Sequence, residues 1–250
     1  MIILRDIDGT AHIVGLSGGK DSTCLALALK ERTNQPLNFV CTPTGDELPE
    51  MAAHWERCEE LLGQSIIRLD SGKTLDSLIA GYKALPNWRQ RWCTRELKIE
   101  PYDQFLRETA ADGPVVSYIG LRADEEGREG VDYAKNIANV TCLFPLREWG
   151  WGLAEVWEFL DERGVIIPKR TDCARCYGQR LSEWRDLWRD YPALYAEAEA
   201  QEVATGHTFR SPGRDTWPAS LADLRREFES NRPLRERRDR KEGVCRACSL

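Results

Sequence analysis

A strand that runs into a Ser-Gly-Gly turn and straight on into a helix is the feature that most limits what this chain can become. "AHIVGLSGGKDSTCLALAL" (Ala11 to Leu29) begins as a buried strand and ends as an alanine-rich apolar helix. Between them lie Ser17, Gly18, Gly19, Lys20, Asp21 and Ser22. Glycines let the backbone approach a ligand and present N–H groups to it. A helix start adds partial positive charge, which suits an anion. Lys20 adds a full charge, Ser17 and Ser22 add hydroxyls, and Asp21 suits Mg²⁺ held beside phosphate oxygens. A polyphosphate matches this set. It is not the Walker loop, because Asp21 follows the lysine and Val14 stands where the first glycine belongs; the G-x-G-x-x-G fingerprint is absent here as well.

The rest of the first two-thirds repeats the strand–helix alternation. Strands are expected at Ala11 to Leu16, Leu37 to Thr42, Ser65 to Asp70, Val115 to Leu121 and Val140 to Leu146. Helices are expected over Ser22 to Glu31, Leu48 to Gly63, near Thr74 to Leu85, over Glu96 to Ala110 with a break at Pro101, and over Leu153 to Gly164. The pattern predicts an α/β fold: a doubly wound, mainly parallel five-stranded sheet with helices on both faces. Ligands then bind at the carboxyl ends of the strands, where the glycine loop sits. Past residue 165 no strand is expected. Residues 1–165 read as the nucleotide-binding domain and residues 166–250 as a helical, cysteine-bearing appendage. In it Trp184, Leu187, Trp188, Tyr191, Leu194, Tyr195 and Ala198 fall at helical spacing, broken at Pro192.

The loop also resembles the SGGxDS signature of the PP-loop ATP pyrophosphatases, and "TPTGDELPE" (Thr42 to Glu50) resembles that superfamily's second-strand motif. "RWCTRELKIEP" (Arg91 to Pro101), "GLRADE" (Gly120 to Glu125) and "FPLREW" (Phe144 to Trp149) resemble the phosphoadenylylsulfate (PAPS) reductase-like branch, which includes DNA phosphorothioation sulfurtransferases and reductase-like proteins of phages and plasmids. The resemblance implies that Ser17 to Ser22, with Thr44 and Gly45, hold ATP. It implies cleavage between the α and β phosphates to AMP and pyrophosphate, with adenylation of an acceptor and sulfur transfer as a following step. True PAPS reductases carry a degenerate loop and a Glu-Cys-Gly-x-His tail. The intact loop and the ending "VCRACSL" make thiol-dependent sulfonucleotide reduction the alternative reading. A non-catalytic nucleotide-binding module of a mobile-element or defence system is a second alternative.

Arg122 follows a strand end, where a guanidinium clamps phosphate. Arg95 and Lys98 stand one helical turn apart and suit one shared anion. Asp124 and Glu125 suit a metal or the orientation of Arg122. The expected catalytic residues are Lys20, Asp21 and Arg122.

Nine cysteines are present. Cys173 and Cys176 form one CxxC pair, Cys245 and Cys248 another, and 68 residues separate them. Four thiolates at such spacing suit Zn²⁺ or a 4Fe–4S cluster. In iron–sulfur adenylylsulfate reductases a Cys-Cys pair precedes Lys-x-x-Pro. The matching place here reads Trp92-Cys93, with Lys98 and Pro101 after it, so Cys93 is an alternative ligand with Cys173, Cys176 and one tail cysteine. A mobile tail dithiol is a third possibility. Cys24, Cys41, Cys58 and Cys142 are expected in the core.

The net charge is −6, so no overall basic balance announces nucleic acid. "RPLRERRDRKE" (Arg232 to Glu242) and the tryptophans from Trp184 to Trp217 keep nucleic acid among the possible acceptors. A sulfur- or electron-donor protein is a further expected partner. No targeting segment and no apolar run of roughly 20 residues is present, so a cytoplasmic protein without membrane contact is expected. The oligomeric state is left open by the sequence.

Overall fold

The computed structural model describes residues 2–125, 127–128 and 135–234. Cys245, Cys248 and most of the charged tail lie outside the described residues.

Five parallel strands form one sheet in the order β3-β2-β1-β4-β5. They are β1 (Ala11–Gly15), β2 (Leu37–Cys41), β3 (Ile67–Arg68), β4 (Val115–Tyr118) and β5 (Val140–Leu143). In the centre, Val14 lies opposite Phe39 on one side and Tyr118 on the other. The pleat sorts side chains to two faces. Val14, Leu16, Phe39 and Cys41 pack with α1 (Lys20–Arg32), α2 (Pro49–Leu62) and α7 (Leu153–Glu162). Ala11, Ile13, Val40 and Val115 pack on the other face with Phe105, Leu106 and Ala110 of α5 (Glu100–Ala111). With both faces covered, the strands are near-continuous apolar runs, as a parallel sheet requires.

The third strand is much shorter than the sequence suggests. It pairs only with β2, through Val40–Ile67 and Cys41–Arg68. A side chain takes over before it: Glu59 of α2 accepts from the Ile66 N–H at 2.8 Å and from Arg68 at 2.7 Å. The chain therefore satisfies its backbone from a helix rather than from a ladder.

Pro101 does not break its helix. The chain enters through α3 (Leu75–Tyr82), a short turn α4 (Trp92–Thr94) and a π-helical turn Arg95–Ile99, which leads directly into α5. Pro101 sits in the first turn of α5, where its missing N–H costs little, and the π turn absorbs the change in winding.

After α6 (Pro145–Glu148) and α7, the described residues form three more helices: α8 (Leu181–Asp190), α9 (Pro192–Thr205) and α10 (Leu221–Glu229). The expected break at Pro192 is the α8–α9 junction. Trp184 is fully buried and packs against Tyr195 and Phe209. This cluster also takes in Leu75, Leu78, Ile79, Trp92 and Leu97. No helix among the described residues is long and apolar enough to cross a membrane.

Glu202 of α9 ties this region together. Its carboxylate accepts from the Phe209 N–H at 2.9 Å and the Leu221 N–H at 2.6 Å. Burial pushes its pKa up from 4.5 to about 7, against the pull of those two N–H groups. The folded state therefore holds a proton that the unfolded chain releases between about pH 4.5 and 7. Stability falls as pH rises through that window, by on the order of 3 kcal/mol. Glu202→Gln flattens this component and leaves one N–H poorly matched. Urea denaturation of both proteins at several pH values measures it.

Candidate functional site

The strand order places the site. The chain leaves β1 toward β2 on one side, and β4 lies on the other, so the crevice at the carboxyl ends of β1 and β4 is a topological switch point. The SGGKDS loop follows β1 and the GLRADE loop follows β4. They touch: a Cβ placed on Gly120 would lie 3.2 Å from the Asp21 carbonyl oxygen.

The loop needs its first glycine. Gly18 has φ +85°, and a Cβ there would meet Met51 Cε at 2.6 Å and Trp55 Nε1 at 2.9 Å. Gly18→Ala meets both strain and collision, and is expected to cost at least about 1 kcal/mol and to weaken any anion the loop binds; thermal denaturation with and without Mg-ATP checks both.

Gly19 is the N-cap of α1 in extended conformation, with no side-chain cap. The helix start thus keeps backbone donors for a ligand. Ser17 Oγ and Ser22 Oγ lie 2.9 Å apart, and Ser22 Oγ donates to the Gly19 carbonyl at 3.1 Å. Trp55 Nε1, beside the loop, is buried without a hydrogen-bond partner among the described residues.

Lys20 is fully buried, and its Nζ lies 3.0 Å from Asp21 Oδ2. Burial drives its pKa down, with Asp21 acting the other way. Arg122 reaches the same carboxylate, with Nη1 2.9 Å from both Asp21 oxygens. Its Nε donates to Asp124 at 2.8 Å, and Glu125 lies 3.5 Å from Nη2. Three carboxylates therefore fix Arg122, and Asp124 and Glu125 orient the guanidinium. The sequence motif had identified Arg122 but not its tie to Asp21, which spans 101 residues.

A second group lies beside the first. In the loop after β2, Glu47 accepts from the Thr44 N–H at 2.8 Å, the Thr44 hydroxyl at 2.7 Å and the Gly45 N–H at 3.0 Å. Gly45 has φ +75°, which glycine adopts without cost. This loop contacts the first CxxC pair. Glu47 and Cys173 form an isolated antiparallel bridge, and Cys173 Sγ lies 3.3 Å from Thr44 Oγ1. Asp46 is buried and accepts from Arg175, through Nε at 2.6 Å and the backbone N–H at 2.9 Å. Burial pushes the Asp46 carboxyl up, and Arg175 pulls it back. Arg175 is one of the two residues inside the CxxC pair; nothing in its spacing foretold a partner 129 residues away.

Cys93, Cys173 and Cys176 line one cavity, with Thr44, Lys98 and Tyr177. Gly178 N–H points to Cys176 Sγ at 3.4 Å. Burial pushes the Tyr177 hydroxyl up to about 12, with the Arg91 guanidinium pulling it back. Among those residues no three Cys, His, Asp or Glu groups are gathered as a metal would hold them. Lys98 is at this cavity. Arg95 is on the exposed surface, 3.2 Å from Glu96 and 3.4 Å from Glu100, so the winding of the π turn sends the two cations different ways. Cys24, Cys41 and Cys58 are buried, and burial pushes their thiols up to about 12, 12 and 11. Cys142 is half-buried.

Residues 11–170 match the family model described as the phosphoadenosine phosphosulfate reductase domain. An uncharacterized protein from Methanocaldococcus jannaschii is 26% identical over 211 residues, which cover 78% of this chain and 42% of that protein. Two solved structures align with this chain at low identity. The PAPS reductase from Candida auris, in a phosphate complex, aligns with a TM-score of 0.48 and 13% identity, over 63% of this chain and 75% of that one. The U34-tRNA thiolase from Methanococcus maripaludis, with its 4Fe–4S cluster, aligns with a TM-score of 0.47 and 16% identity, over 96% of this chain and 80% of that one.

Proposed function

Since this chain belongs to the phosphoadenosine phosphosulfate reductase family, within the PP-loop ATP pyrophosphatase superfamily, we propose that it is an enzyme that cleaves ATP at the α-phosphate to activate an acceptor. The observation that carries this reading is the complete loop: an uncapped helix start, two glycines, two hydroxyls and a buried Lys20. A ligand without a β-phosphate has no use for that many donors. Trp55 Nε1, left over beside the loop, is one more donor for which an anion supplies a partner.

In this reading Ser17, Gly18, Gly19, Lys20 and Ser22 hold the β- and γ-phosphates. An acceptor oxygen attacks the α-phosphorus, and the bond to the bridging oxygen breaks. Lys20 and the N–H groups of α1 stabilise the charge that gathers on the departing pyrophosphate. Asp21 is the carboxylate for Mg²⁺, which neutralises phosphate charge when bound. Arg122 holds Asp21 in place. Thr44 and Gly45, at the next strand end, complete the nucleotide pocket.

Sulfur chemistry follows from the second group of residues. The cavity carrying three cysteines is also lined by Thr44, the residue that this reading assigns to the nucleotide pocket, and Cys173 Sγ lies 3.3 Å from its hydroxyl. Incoming sulfur displaces AMP from the adenylated acceptor, with a donor protein supplying the sulfur. Cys93, Cys173 and Cys176 line one cavity but are not gathered as a metal would hold them, so a thiolate-bound centre would need further ligands from outside the described residues. Its ligands would be Cys173 and Cys176 with Cys245 and Cys248, or with Cys93 and one of those two tail cysteines. An iron–sulfur cluster held there would supply a site for bound sulfide, and zinc would supply a structural tie.

The test is product analysis. The anaerobically purified chain is incubated with α-labelled ATP, Mg²⁺ and a cell extract as acceptor source. AMP and pyrophosphate in equal amounts are expected, without ADP. Sulfite release from PAPS with a thiol reductant, in the absence of Mg-ATP, would overturn the reading in favour of reduction. ATP binding without turnover in any extract would leave a binding module.

A further inference from the structure

We propose that the loop at residues 86–91 is a docking platform for an unpaired stretch of RNA, delivered to the mouth of the cysteine cavity; this names the acceptor class for the activity proposed above and rests on that reading.

Trp88 is the starting point. It is a large aromatic side chain, 48% exposed, packed edge-to-face on Tyr177 with ring centroids 5.3 Å apart. Its loop is built rather than loose. Asn87 Oδ1 accepts from the Arg89 N–H at 2.9 Å and the Gln90 N–H at 3.0 Å, and the Asn87 and Gln90 backbones bond each other in both directions at 3.2 Å. That closed turn holds Trp88 and Arg89 outward, both exposed. The Arg89 guanidinium has no ion-pair or hydrogen-bond partner among the described residues.

Charge marks the same place. From Lys83 to Lys98 the chain carries five cations (Lys83, Arg89, Arg91, Arg95 and Lys98) and one carboxylate, within a protein of net charge −6. That carboxylate, Glu96, is buried and bound by Lys73 at 2.7 Å and by Arg95 at 3.2 Å, and Arg95 also meets Glu100 at 3.4 Å, so Lys83 and Arg89 are the exposed cations of the stretch without an ion-pair partner among the described residues. The surface therefore presents a positive field to a polyanion. The C-terminal tryptophans do not offer an equivalent stacking site: Trp184 is fully buried, and Trp188 and Trp217 pack against Phe228.

The position connects platform to chemistry. Pro86 at one end of the loop, Cys93 just beyond the other and Tyr177 beneath Trp88 all line the cysteine cavity. A strand with a phosphate on Arg89 and one base on Trp88 brings a neighbouring nucleotide to that opening. Stacking on one exposed ring requires a base already out of its helix. RNA loops present such bases, whereas duplex DNA must first be unpaired at a cost.

The test uses the full chain without ATP and a fluorescein-labelled 12-nucleotide single-stranded RNA of mixed sequence, followed by anisotropy across a salt series. Binding that weakens steeply with salt is expected. Trp88→Ala should lower affinity about tenfold or more, with Trp88→Phe recovering most of it. Arg89→Gln should reduce the slope of log K against log salt by about 0.7. Unchanged binding in Trp88→Ala would overturn the platform. If Trp88→Ala does not fold, an unchanged slope in Arg89→Gln does so instead. The RNA assignment falls if the same sequence as single-stranded DNA or as duplex binds equally well, or if polyglutamate displaces the RNA at equal charge. Wild-type chain that cleaves ATP but binds no RNA would remove this inference alone; chain that binds RNA but yields no AMP would remove the ATP reading alone.

Discussion

Lys20→Met should lower AMP and pyrophosphate formation by at least about a hundredfold while leaving the protein as stable as before or more so. The two halves of that expectation have one cause. Lys20 is fully buried, and burial lowers its pKa, so the folded chain keeps its ammonium at a cost. Its carboxylate partner, Asp21, has a second cation: Arg122 meets both Asp21 oxygens at 2.9 Å. Taking Lys20 away therefore strands no anion. Replacing a buried charge by an apolar side chain of similar length is then neutral or stabilising, by up to roughly 4 kcal/mol in other buried pairs. On the reading proposed above, the ammonium contributes only when charge builds up on a leaving group. Loss of one such preorganised donor typically costs about 10²- to 10³-fold in rate. Rate and unfolding curves for the two proteins decide the matter. A variant that is strongly destabilised but fully active when folded would make Lys20 a structural residue.

The readable part of the molecule was the part made of local pattern. The alternation of apolar runs with amphipathic ones foretold the parallel sheet. The place of the SGGKDS loop, at the carboxyl end of β1 and the start of α1, was legible because strand, glycine turn and helix start are adjacent in sequence. What the sequence did not show were partnerships across distance. Arg122 reads as a phosphate clamp oriented by Asp124 and Glu125, which do hold it, but its third carboxylate, Asp21, lies 101 residues away and was not foretold. The π turn at Arg95–Ile99 defeated a spacing rule: three residues apart means one face in an α-helix, and here Arg95 and Lys98 part company. Stacking potential was misplaced for a similar reason. Tryptophans at helical spacing became a buried core around Trp184, while Trp88, alone in a polar turn with no periodicity to flag it, is the exposed one.

Arg175→Met should cost roughly 3–5 kcal/mol, and its effect should shrink as the pH is lowered. Asp46 is 4% exposed and receives both a side-chain and a backbone donor from Arg175. Without the guanidinium a buried carboxylate is left with little to balance it, the situation in which breaking a buried pair is most costly. The sign of the pH effect follows from burial, which already pushes Asp46 up against Arg175's pull. In the variant the folded pKa rises further above the unfolded value. The neutral acid is then the stable form, so stability is retained below the ordinary carboxylate range and declines as pH rises through the raised pKa. Asp46→Asn in the same chain removes the stranded charge and should recover much of the loss, and a double-mutant cycle in urea measures the coupling directly. Additive single effects would show that the pair holds nothing together. Strong coupling would mean more than a stable loop. Arg175 lies between Cys173 and Cys176, and Asp46 lies between Gly45 and Glu47, whose carboxylate fixes Thr44. The pair therefore sets the distance between a thiol and the loop after β2, and on the reading proposed above, activation at one and sulfuration at the other need that distance held.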